Sequence, residues 1–127
     1  MPWLSFLAIG CGAALGAWAR WGLGLLLNPV LPTLPLGTLA ANLIGGFIIG
    51  IVMGVADPLG FAPPTRLLVT TGFLGGLTTF STFSAETMTL LLRLQYGWAG
   101  VLVAAHLGGS LLMTAIGVLL ARALLER

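Results

Sequence analysis

A chain of 127 residues that is 58% hydrophobic and 6% charged, with a mean hydropathy of +1.11, excludes a soluble globular domain. At roughly 20 apolar residues per membrane crossing, this length holds about four spans and leaves no room for a soluble catalytic domain. The net charge of +2 rests on five arginines, too few for a nucleic-acid-binding patch, and the lone Cys11 rules out an intramolecular disulfide or a cysteine metal cluster.

In chain order, the first apolar span is expected at about residues 3–27. Its start, MPWLSFLAIG, lacks the basic n-region of a secretory signal and reads as a retained helix. Arg20 stands near its end, in LGAWARWGLG between Trp18 and Trp21, where it can snorkel, bond to a helix end, or make an entry vestibule electropositive. The prolines of NPVLPTLP (28–35) stop this helix. A second span at about 36–56 contains Asn42, an amide that must find a partner within the bilayer. DPLGFAPPT (57–65) separates it from a third span at about 66–94. QYG (95–97) then reads as a tight turn, with Trp98 as an interfacial anchor opening the fourth span at about 98–124. The whole chain, 1–127, is one transmembrane domain.

Glycines recur at intervals of four: Gly12 and Gly16; Gly46, Gly50 and Gly54; Gly72 and Gly76. Small residues at that spacing let backbones approach closely where lipid offers no hydrophobic driving force, so a compact, oligomeric bundle is expected. Four spans put Arg66, Arg122 and Arg127 on one side, against Arg93, and Arg20 if it snorkels, on the other. That division gives weak topological instruction. Both orientations stay open, which permits an antiparallel homodimer.

The third span carries GGLTTFSTFSAE, Gly75 to Glu86, the most polar run in the chain. Its about 29 residues would extend roughly 43 Å as one helix, longer than the roughly 30 Å hydrocarbon core. Gly75 and Gly76, followed by Thr78 and Thr79, are where it would most easily break. A break would expose carbonyls suited to a cation, whereas a kink with the threonines bonded back to their own helix is an equal alternative. Beyond it come Ser81, Thr82 and Ser84, with Phe80 and Phe83 sharing a helix face. In the fourth span His106, Ser110 and Thr114 recur every four residues as a polar stripe. Such a set is rich in donors and poor in fixed charge, which suits a small, strongly hydrated anion. Phenylalanine edges, the positive rim of the ring quadrupole, can also face an anion. Glu86 lies near one end of this path, where it can be protonated, gate a vestibule or reach water.

GGLTTFSTFSAE in a four-span chain resembles the signature of the Fluc family of fluoride channels, also called CrcB proteins. WARW in the first span, GTLAANLIGGFIIG in the second and HLGGSLLMT in the fourth match as well, so the resemblance covers essentially the whole chain. It implies an all-α, antiparallel dual-topology homodimer in the bacterial inner membrane, with two separate pores for passive fluoride export. On this resemblance Phe80 and Phe83 meet the ion, Asn42 offers an amide, and Ser81, Ser84, Ser110 and Thr114 form a polar track. Glu86 and His106 fall near the far end of that track, and Arg20 helps form the vestibule. Backbone carbonyls of Gly75 and Thr78 from both subunits would hold a structural sodium ion.

The main alternative is a small proton-coupled multidrug exporter, which needs a central membrane carboxylate; the first span has no acid and Glu86 is off-centre. A purely structural subunit would leave the hydroxyl stripe unexplained. An enzyme is not expected, for there is no paired acid, metal-ligand cluster or nucleophile beside a base.

Overall fold

The computed structural model describes residues 2–127, and all the regular structure among them is helical. Helix α1 spans Pro2–Leu27 and continues into a 3₁₀ turn, Asn28–Val30. Helix α2 spans Leu36–Val55, entered through Pro35, whose extended backbone turns the chain. The Asn28 side chain closes this connection by accepting from the Gly37 N–H at 2.8 Å. After a turn in which Gly60 adopts φ +67°, the chain re-enters helix at Pro63. Two prolines at the first helical positions lack N–H groups that would have no partner there anyway.

The third expected span is not one helix. It begins as α3 (Pro63–Leu67), widens into a π-helical stretch (Leu68–Leu74), closes with one turn, α4 (Gly75–Leu77), and stops. Thr78 and Thr79 are extended, with ψ of 155° and 125°, before α5 resumes at Phe80–Leu92. The interruption therefore lies at Thr78–Thr79. The glycine pair at the start of the expected run stays helical, and Gly76 lies flat against α1, where a Cβ would run into Ala13 and Ala17. Helix α6 spans Tyr96–Leu125.

The turn before α6 is also displaced from its expected place at residues 95–97. Leu94 takes the left-handed conformation at φ 60°, and the Gln95 and Leu94 N–H groups donate back to Leu90 and Leu91. This is a Schellman closure built without glycine, so Tyr96 and Gly97 are free to start the helix.

Helices α1, α2 and α6 are each long and apolar enough to cross a membrane. Large apolar side chains such as Phe6, Trp18, Trp21 and Leu111 point outward from them. With no water to drive association, contact depends on close approach, and the glycine ladders supply it. Gly12 and Gly16 of α1 lie on the backbone of the π-helical stretch and α4, while Gly46, Gly50 and Gly54 of α2 lie on α6 at Ser110, Thr114 and Ala121. Gly117 on α6 completes the second ladder against Phe47 and Ile51.

Candidate functional site

The chain interruption is the most polar feature of the fold, and side chains from three other helices surround it. Ending α4 at Leu77 removes the helical partners of several carbonyls. Of the readings open to Arg20, the bond to a helix end is the one made: its Nε–H donates to the Gly76 carbonyl at 3.1 Å. A guanidinium there satisfies an orphan acceptor and also complements the negative end of a helix. On the far side, the Thr79 hydroxyl caps α5 by accepting from the Thr82 N–H at 3.1 Å.

Asn42, from the middle of α2, holds the extended segment open. Its Oδ1 accepts from the Thr79 N–H at 2.8 Å, and its Nδ2 donates to the Thr79 carbonyl at 3.0 Å. One amide thus pairs with one residue's backbone as a neighbouring strand would. Because a backbone N–H only donates and a carbonyl only accepts, the amide orientation is fixed. The second Nδ2 hydrogen goes to His106 Nδ1, 2.9 Å away on α6. Both amide hydrogens are therefore engaged within the chain. The pairing also has an indirect effect on Gly75. In a continuous helix its carbonyl would accept from Thr79, but that N–H is turned to Asn42, so the oxygen is left without its usual partner.

Phe80 and Phe83 pack edge to face, with ring centres 5.5 Å apart at 70°. They differ in setting: Phe80 is 74% exposed and Phe83 is 7% exposed. Phe83 also lies over the His106 ring at 4.5 Å. Around these rings runs a groove of about 530 Å³ between α2, α6 and the interrupted segment, lined among others by Gly75, Thr78, Thr79 and Ser110. Its surface is largely apolar.

The remaining expected residues separate into two groups. Ser81 and Ser84 are exposed on α5 and Ser110 is half-buried in the groove; among the described residues Ser84 and Ser110 donate to no side chain or carbonyl. Thr114 is committed, its hydroxyl shared between the carbonyls of Gly46 and Ser110 at 2.9 Å each, which ties α6 to α2. Glu86 is turned inward as well. Its Oε2 accepts from the Thr38 hydroxyl at 2.8 Å, and its buried Oε1 has no partner among the described residues. Thr38 went unnoticed in the sequence, since it is not distinctive without knowledge of its cross-helix partner.

The family model described as "CrcB-like protein, Camphor Resistance (CrcB)" matches residues 7–118. A relative from Nitrosospira multiformis, named "Fluoride-specific ion channel FluC", is 63% identical over 113 residues, covering 88% of each chain. A relative of the same name from Pseudomonas paraeruginosa is 59% identical, covering 91% of this chain and 92% of its own. Another from Ralstonia nicotianae is 54% identical over 98% of this chain and 99% of its own.

Proposed function

The chain belongs to the CrcB-like family, and from that premise we propose that it is a fluoride-specific ion channel, a multi-pass membrane protein and not an enzyme. The observation that carries this reading is identity of 54–63% along nearly the whole length of relatives bearing that name. The proton-coupled exporter receives no support from them, and Glu86, its only candidate carboxylate within a span, is engaged by Thr38.

The geometry agrees with passive conduction of a small anion. To leave water, fluoride needs short donors in succession. Ser84 and Ser110 provide hydroxyls that are not engaged elsewhere, Ser81 adds one that also meets the Thr79 hydroxyl, and the exposed Phe80 ring, backed by Phe83, offers its electropositive edge. Asn42, Thr114 and His106 hold this surface in shape, Glu86 closes its far end, and Arg20 sets positive charge beside the interruption. The driving force is external. An inside-negative potential of 100 mV contributes roughly 2.3 kcal/mol per charge, equivalent to a gradient of about 50-fold, enough to expel fluoride trapped inside without ATP.

In this reading the segments 63–77 and 80–92 together make a fourth crossing, and the chain works as an antiparallel homodimer with two pores in a bacterial inner membrane. The open groove and the weak arginine bias support the dimer. The carbonyls of Gly75 and Thr78 fit a sodium ion, because they are neutral, hard oxygen donors and Gly75 has lost its helical partner. Two oxygens do not complete a coordination shell, and a second copy would supply the same pair again. A bound sodium would add fixed positive charge beside the anion path.

The test is fluoride efflux from liposomes containing the purified protein, read with a fluoride electrode against a chloride control, under an imposed potential and no proton gradient. Rapid loss of fluoride with chloride retained is expected. No fluoride flux from well-folded protein would refute the channel reading.

A further inference from the structure

His106 is 4% exposed on α6 and has one polar neighbour among the described residues, the Asn42 amide. The orientation of that amide is set by the Thr79 backbone, so the atom facing the ring is a nitrogen that donates. The ring nitrogen 2.9 Å away must then be an acceptor, carrying a lone pair and no proton. In a neutral imidazole the proton accordingly sits on Nε2, which is buried and without a partner among the described residues. The Phe83 ring against its face holds the imidazole in that attitude.

We propose that His106 is a positioning residue for the ion path. Its Nδ1 lone pair anchors the Asn42 amide, Asn42 holds Thr79 extended, and the chain's one histidine is fixed in the Nε2–H tautomer. Without that acceptor the second amide hydrogen of Asn42 would be buried without a partner, and any flip of the amide to relieve it would set two donors and two acceptors against each other at Thr79. Helix α6 thereby controls the interruption between α4 and α5 through a relay of two side chains. The flux arm of the test rests on the fluoride reading, whereas the tautomer arm does not.

Nitrogen-15 spectroscopy of histidine-labelled protein in lipid gives a single pair of ring signals, since the chain has one histidine. The expected result is a protonated Nε2 and an unprotonated Nδ1 whose signal moves in Asn42→Ala. A proton on Nδ1, or an Nδ1 signal indifferent to Asn42→Ala, would overturn the proposal even if no His106 variant folded. Two substitutions separate the ring nitrogens. His106→Asn keeps an acceptor at the Nδ1 place and loses the Nε2 donor, while His106→Gln keeps a group near Nε2 and loses the acceptor. Fluoride flux should be retained within about threefold in His106→Asn and fall roughly tenfold or more in His106→Gln, the loss of one buried acceptor. Equal flux in both variants, or the reverse order, would overturn the relay. Absence of flux in the wild-type protein would count against the channel reading alone and leave the tautomer result standing.

Discussion

Substituting Asn42 by Ala tests whether the interruption is held from outside or is intrinsic to its own residues. The change removes three bonds: two to the Thr79 backbone and one to His106 Nδ1. If nothing moved, three buried polar groups at about 1–3 kcal/mol each would cost about 3–9 kcal/mol. The chain has a cheaper response. The Thr79 N–H is four residues beyond Gly75, so extending α4 by a turn returns it to the Gly75 carbonyl and satisfies both. The net loss of stability should then be about 2–6 kcal/mol, the residue left by the Thr79 carbonyl and the histidine. Function should suffer more than stability, because the straightened segment withdraws Gly75 and re-aims Phe80 and Ser81. The expected outcome is a folded protein whose fluoride flux falls at least roughly tenfold, with a Thr79 amide more slowly exchanging than in the wild type. Flux within twofold of wild type, or a stability loss near the upper sum, would refute the reasoning.

Phe80→Ala should barely change the stability of the chain, because the ring is 74% exposed, yet it should abolish fluoride flux; Phe83→Ala opens a buried site and should cost about 3–5 kcal/mol on unfolding in detergent as well. Arg20→Met leaves the Gly76 carbonyl without its charged donor, an expected loss of about 1.5–3 kcal/mol in the same assay, with reduced fluoride entry in liposomes. Gly50→Ala drives a Cβ into the Thr114 carbonyl and the Gly117 backbone, where neither side can yield, and should destabilise by about 1–3 kcal/mol; Gly10→Ala, with open space around it, should be neutral in the same melt.

The ends of the long helices were legible because prolines and apolar runs mark them locally: α1 and α2 lie where the pattern puts them to within a residue or two. The packing faces were legible for the same reason, since a glycine every fourth residue specifies which side of a helix comes close. Three features were fixed in detail by partners distant in sequence. The π-helical stretch LVTTGFL has the composition of an ordinary helix, and its widening arises where it lies along Gly12 and Gly16 of α1. The interruption falls at Thr78–Thr79 because its fixing group is 37 residues away on α2. The histidine stripe marked a polar face of the helix, but the partner that His106 meets is 64 residues distant. Sequence spacing reports what one helix presents; it does not report which groups on the next helix have already taken the hydrogen bonds.

That distinction resolves the polarity of Gly75 to Glu86. Within this run and its surroundings, Arg20, Asn42, Thr38, the Thr79 hydroxyl and Thr114 are all engaged in holding helices together or holding one apart. Left over are the Gly75 carbonyl oxygen, without its helical partner, and the hydroxyls of Ser84 and Ser110. Gly75 and Ser110 line the same groove, so a carbonyl acceptor and a hydroxyl donor stand beside the same extended residues. In the proposed channel, a cation held by carbonyls there would lower the cost of an anion passing the donors. The arrangement works only if Thr79 stays extended, because a helical Thr79 would consume the Gly75 oxygen and turn the donors at once. Asn42 is therefore the residue on which both halves depend, and its loss should weaken sodium dependence and fluoride flux together rather than one after the other.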